Sequence, residues 1–226
     1  MSVMDRHVII VAGGKGLRMG ADVPKQFIPI GGLPVLMHTI NAFRTGDAAI
    51  DIILVLPESQ FDYWHELCRK YDFNVECRLA AGGRTRFHSV QNGLALIDGS
   101  DGLVAVHDGV RPFVTAEFIN ECFEAAEREG SVIPVTDVIE TLRHKSADGT
   151  SHVVPRSDYC LVQTPQVFRA DILKRAYRQD YSESFTDDAS VVEAAGYAVA
   201  LVSGSRNNIK ITTPSDLVIA ETLLSR

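Results

Sequence analysis

Several features that would assign a protein to a familiar class are missing from this chain. Its four cysteines, Cys68, Cys77, Cys122 and Cys160, are widely separated and never form CxxC, so neither a zinc-site spacing nor a disulfide framework is present. Reduced thiols are expected. Seven histidines supply no HExxH or HxxxH, which leaves a transition-metal site without an evident ligand set. Any metal is expected to arrive with a substrate. No stretch approaches the roughly 18 to 20 consecutive apolar residues of a membrane span, and the apolar run 8–12 is too short for a signal peptide. A cytoplasmic protein that does not engage a membrane is expected. Positive charge is also scarce, with 22 Lys and Arg against 29 Asp and Glu and a net charge of -7. That balance argues against nucleic acid as a partner, although a local cationic pocket for a small anion remains compatible with it.

What is present suffices for one core. With 226 residues, 46% hydrophobic and 23% charged, the expectation is a single domain spanning 1–226. Strand-like and helix-like segments alternate: 7–12, then 33–43 with Leu36, Ile40 and Phe43 at helical spacing, then 50–57, 61–71, 75–80, 85–97 and 102–109. The strands are continuous apolar runs, the pattern of a parallel sheet covered by helices on both faces. The predicted fold class is therefore α/β. Thr115 and Gly130 bracket a further helix, and Thr213-Pro214-Ser215-Asp216 opens the last one. Segment 131–166 breaks the rhythm: it reads as strand, Ala-Asp-Gly turn and strand without a helix. It is either a projecting β-arm that packs on a second subunit or a hairpin folded onto its own sheet edge.

Four segments carry candidate chemistry. Directly after the first strand, AGGKGLRMG runs into PKQF; its glycines let backbone N–H groups approach an anion, and Lys15, Arg18 and Lys25 suit a polyphosphate. Neither GxGxxG nor GxxxxGK[ST] fits the segment, which argues against an NAD-dependent oxidoreductase and against a P-loop. A glycine turn with solvated cations is the alternative. VHDGVRP places Asp108 and Arg111 at the end of a buried strand, where open α/β sheets keep their ligands. They could hold Mg²⁺ or a sugar and clamp a phosphate, or simply pair with each other. His107 reads as structural. In Thr186-Asp187-Asp188 the hydroxyl of Thr186 is the candidate ligand, while the two acids can be explained by the helix dipole. Asn208-Ile209-Lys210 ends in a cation.

Taken in order, AGGKGLRMG, PKQF, AGGRTRFHSV, VHDGVRPF, QTPQVF, TDDAS and NNIKIT resemble the 2-C-methyl-D-erythritol 4-phosphate cytidylyltransferases of the non-mevalonate isoprenoid pathway, from about residue 7 to 224. The resemblance implies a Rossmann-like nucleotidyltransferase sheet and a homodimer clasped by β-arms. It also implies transfer of a cytidylyl group from CTP to the polyol phosphate, with release of pyrophosphate and with Mg²⁺ on the triphosphate. By position, Ala12, Gly13, Gly14, Gly16, Arg18 and Lys25 would hold the triphosphate, and Gly82, Gly83 and Ser89 would select cytosine. Asp108, Arg111, Thr186 and Lys210 would line the acceptor side, with Arg156 reaching from the partner's arm. Arg18, Lys25 and Lys210 would carry the catalysis, and Asp108 is a possible metal ligand. Val138 stands where the family often has a threonine, with Thr136 and Thr141 as substitutes. Ribitol 5-phosphate cytidylyltransferases share most of these segments, but TDDAS favours methylerythritol phosphate. A non-catalytic nucleotide-binding module is the reading from a different class.

Overall fold

The computed structural model describes residues 4–14 and 23–225. Its strands are β1 (Arg6–Val11), β2 (Pro29–Ile30), β3 (Leu33–Pro34), β4 (Asp51–Leu56), β5 (Arg78–Ala81), β6 (Leu103–Asp108), β7 (Ser131–Asp137), β8 (Arg143–Lys145), β9 (Ser151–Val153), β10 (Cys160–Val162), β11 (Gln166–Arg169) and β12 (Ala200–Ser203). Its helices are α1 (Val35–Gly46), α2 (Phe61–Lys70), α3 (Arg86–Leu94), α4 (Ala116–Glu129), α5 (Ala170–Ala176), α6 (Asp188–Ala194) and α7 (Pro214–Leu224).

Strands β5, β4, β1 and β6 lie side by side and parallel. Alternation along each strand explains why both faces are apolar. Val8 and Ile10 of β1 pack with Leu36 and Phe43 of α1 and Phe123 of α4 on one face, while Ile9 packs with Val90 of α3 and Leu173 of α5 on the other. Each successive side chain points to the opposite layer, so a strand buried on both faces must be apolar throughout. Capping sets the helix limits as expected. The Thr115 hydroxyl accepts from the Phe118 N–H at 3.2 Å and Gly130 sits at φ 84°, while Asp216 closes a capping box with Thr213. No helix among the described residues is long and apolar enough to cross a membrane.

The sheet is mixed beyond β6. Strand β11 runs antiparallel to β6 and β7, and β12 joins β7 in parallel. Because Val135 of β7 pairs with both Val162 of β10 and Ser203 of β12, and Val132 with both Val167 of β11 and Ala200 of β12, strands β10 and β11 share the edge of β7 opposite β12. Segment 131–166 therefore divides. Its ends are buried in the sheet at 131–134 and 163–166, as their apolar and amide residues require. Strands β8 and β9 instead form a separate exposed ribbon around a turn closed by Ser146 and Thr150. The exposed ribbon is accordingly shorter than the expected arm.

Candidate active site

The carboxyl ends of β1, β5 and β6 open into a cavity of about 340 Å³. Three short connections shape it, beginning with Ala12, Gly13 and Gly14 after β1. Asp108 ends β6 and Val110 follows it, and Gly83 to Arg86 lead from β5 into α3. Two glycines make the approach possible. A Cβ on Gly109 would lie 2.8 Å from Cβ of Ala12, and one on Gly83 would lie 2.4 Å from Cβ of His88, so no side chain fits at either place.

Lys25 reaches this cavity from a short 3-10 turn, Lys25–Phe27, that follows Pro24. Its Nζ donates to the Ile211 carbonyl at 3.1 Å. Next to Ile211, Lys210 places Nζ 3.0 Å from Oδ2 of Asp108. Two lysines from opposite ends of the chain thus meet in one cavity. Gln26, which is buried, donates to the Ala12 carbonyl at 2.9 Å and to Gln60 Oε1 at 3.1 Å, tying the first glycine connection to the wall. Lys15, Gly16, Arg18 and Gly20 lie outside the described residues.

Asp108 is the hub of the floor. Arg111 Nε also lies 3.0 Å from Oδ2, so the local ion pair is present and includes Lys210. Arg111 stands behind Asp108 and donates to the Asn208 carbonyl at 2.8 Å; it does not line the cavity. Burial pushes the Asp108 carboxyl up, but the surrounding Lys210, Arg86 and Arg111 outweigh it and hold the group well below the usual carboxylate range. Below it, the fully buried His107 donates from Nε2 to the Arg111 carbonyl at 3.1 Å, which leaves Nδ1 to accept from the Thr164 hydroxyl at 3.0 Å. That hydroxyl accepts in turn from the Asp108 N–H at 3.1 Å. With both ring nitrogens committed and burial lowering its pKa to about 4, His107 is a neutral structural group.

Gly83 and Ser89 line the cavity, whereas Gly82 continues the sheet ladder by donating to the Leu56 carbonyl. The Ser89 hydroxyl accepts from the Gly83 N–H at 3.0 Å and donates to the Thr85 carbonyl at 2.9 Å. Thr186 is exposed before α6 and Arg156 is exposed in the turn Arg156–Asp158, so neither reaches this cavity within the chain. Sequence reasoning gave no role to Arg86, Thr164 or Gln26. Arg86 lines the cavity and pairs with Asp188, so Asp188 does more than complement the α6 dipole. An acid at the first buried turn of the apolar helix DASVVEA was the signal that a cation would be found opposite.

Among the described residues, the lining cations are Lys25, Arg84, Arg86 and Lys210, against one acid, Asp108. No group of three or more His, Cys, Asp or Glu among those residues is placed to hold a metal. The arrangement suits a ligand carrying several negative charges.

Comparison with known proteins gives three kinds of likeness. The family model for IspD, 2-C-methyl-D-erythritol 4-phosphate cytidylyltransferase, matches residues 6–226. Proteins of that name from Phocaeicola vulgatus and from Bacteroides thetaiotaomicron are each 62% identical over 221 residues, covering 98% of this chain and all of theirs. The crystal structure of the enzyme of that name from Thermus thermophilus superposes with a TM-score of 0.80 at 34% identity, over 99% of this chain and 100% of that one.

Proposed function

We infer the workings of the cavity from one premise: the chain belongs to the 2-C-methyl-D-erythritol 4-phosphate cytidylyltransferase family, and it transfers a cytidylyl group from CTP to methylerythritol 4-phosphate, giving the diphosphocytidyl product and pyrophosphate in isoprenoid biosynthesis. One observation carries the assignment of roles, namely the meeting of Lys25, Lys210 and the first glycine connection around one cavity.

The acceptor's phosphate oxygen is already a nucleophile at neutral pH. It attacks the α-phosphorus of CTP in line with the departing pyrophosphate, and no general base is needed. The work is electrostatic: two polyanions must be brought together and the charge on the equatorial and leaving oxygens stabilised by groups fixed beforehand. Gly13, Gly14 and Lys25, with Gly16 and Arg18, receive the triphosphate. Lys210, oriented by Asp108, faces the acceptor phosphate. Ser89 has one lone pair left after its two internal bonds, enough to accept from the exocyclic amino group that distinguishes cytosine from uracil. Mg²⁺ bound to the triphosphate would supply further charge neutralisation. The lining residues suit an ion carried by the nucleotide better than one caged by protein, because Asp108 is the one carboxylate among those described and already serves two cations.

The chain is read as one domain whose exposed ribbon, with Ile139, Tyr159 and Leu161 exposed beside it, pairs with a second copy, so that Arg156 reaches from one protomer's arm into its partner's acceptor site, which Thr186 lines. Four free cysteines suit a reducing cytoplasm. Pyrophosphate release from CTP, Mg²⁺ and methylerythritol 4-phosphate tests the roles. Lys25→Ala should lower turnover about 10²-fold to 10³-fold, by analogy with loss of one oxyanion donor, with unfolding unchanged. Near-normal turnover would remove Lys25 from this role. Light scattering at micromolar concentration should give a dimer, and a monomer would remove the arm from the site.

A further inference from the structure

Arg86 is a lining cation whose charge is anchored from behind by a fully buried acid. It begins α3, its side chain is 30% exposed, and its Nη2 lies 2.5 Å from Oδ2 of Asp188, which is 0% exposed. The other carboxylate oxygen of Asp188 accepts from the Tyr177 hydroxyl at 2.6 Å. Both oxygens are therefore committed on the side away from the cavity. Tyr177 is itself fixed, stacked on Phe87 with ring centroids 4.7 Å apart, and Phe87 is next to Arg86 in the chain. A guanidinium is planar and carries five N–H donors. One nitrogen held by Asp188 leaves donors for the cavity, on the wall shared with Ser89 and near Asp108. Burial disfavours the charge on Arg86, yet the field of Asp188 outweighs it and Arg86 stays protonated.

We propose that Arg86 is a substrate-facing cation that donates to a phosphate oxygen of the bound nucleotide, and that Asp188, itself held by Tyr177, is its positioning residue. A surface arginine would have to lose side-chain freedom each time a ligand bound; this one is set in place by the fold. The inference rests on the cytidylyltransferase reading of the cavity.

Four variants separate a role in binding from a role in folding. Arg86→Met strands the Asp188 carboxylate, and Asp188→Asn strands the guanidinium, so each should lower the melting temperature. Combined, they leave a neutral pair in which the introduced amide still accepts from Tyr177, and the melting temperature should return towards that of the parent. CTP affinity, measured by calorimetry without acceptor, should not return: the dissociation constant should rise about tenfold or more in Arg86→Met, as for a lost charge-assisted hydrogen bond. It should rise comparably in the combined variant, with Asp188→Asn adding nothing once Arg86 is gone. Arg86→Lys keeps the buried charge paired and the fold intact, but its shorter ammonium cannot serve carboxylate and ligand together; its CTP affinity should also fall about tenfold. A combined variant, or a folded Arg86→Lys, that binds CTP as tightly as the parent would overturn the assignment. If the parent protein itself neither bound CTP nor released pyrophosphate, the reading of the cavity would fall, and this inference with it.

Discussion

Replacing Asp108 with asparagine removes one negative charge from beneath two cations, and the structure sets the size of the effect. Lys210 Nζ and Arg111 Nε each stand 3.0 Å from the same oxygen. At an effective dielectric constant of about 20, each contact represents about 5 kcal/mol of Coulomb attraction, most of which is offset by the cost of taking the ions out of water. Lys210 is 44% exposed, so its share is screened by solvent. Arg111 and Asp108 are 11% and 12% exposed, and stranding Arg111 dominates the loss. Breaking a buried pair costs about 3 to 5 kcal/mol; asparagine keeps one acceptor, which points to the lower end. At about 2 to 4 °C per kcal/mol for a protein of this size, the melting temperature should drop by about 6 to 12 °C near neutral pH. The sign of the pH dependence follows from the lowered pKa. A carboxyl held below its unfolded value of 3.8 stabilises fully above that value and loses its contribution as pH falls below it. The gap between parent and variant in thermal unfolding should hold from about pH 8 to pH 5 and narrow at about pH 3. Equal melting temperatures near neutral pH, or a gap undiminished in acid, would refute the account of Asp108 as a charge hub.

His107, with its pKa lowered from 6.5 to about 4 by burial, accepts a proton in the unfolded chain before it does in the folded one. Its contribution should fall by about 1.4 kcal/mol per pH unit between those values, so urea unfolding of the parent and of His107→Asn should converge as pH drops from about 6.5 to 4.5. Gly83→Ala and Gly14→Ala should part company in stability. The first puts a Cβ 2.4 Å from His88 and should cost about 1 to 3 kcal/mol as overpacking does; the second meets nothing closer than Lys25 Cε at 4.0 Å and should unfold like the parent while binding CTP more weakly.

The succession of strands and helices, and the strand ends where candidate chemistry gathers, were legible because they depend on local pattern. Val8 to Val11 had to be apolar on both faces, so β1 could be recognised as interior, and chemistry had to gather where it and β6 end. Asp108 was read by that rule, Lys25 from the cations that accompany the glycine run, and Lys210 only as a cation whose role the family resemblance supplied. Arg86 was not, because nothing along the chain distinguishes it from Arg84 two residues earlier. Arg84 contacts His88 of the adjoining helix, whereas Arg86 finds an acid 102 residues away. Thr164 was hidden for a similar reason: its hydroxyl is placed by β10 and β11 lying along one edge of β7, a topology that the apparent long hairpin did not reveal. The antiparallel placement of β11 beside β6 escaped because continuous apolar runs report burial on both faces without reporting direction.

A chain with net charge -7 binding a triphosphate presents an apparent conflict, which the cavity resolves by distance. Exposed charges separated by more than about 8 Å are largely screened at physiological salt, so the acidic exterior opposes approach only weakly, while the lining cations act at contact. Two of those cations, Lys210 and Arg86, are paired with buried or nearly buried acids. The acids diminish the net attraction, yet they remove the motion that would otherwise be lost on binding, and transfer between two anions depends more on fixed geometry than on total charge. On the proposed roles, the buried carboxylates are thus better understood as parts of the phosphate site than as competitors for its cations.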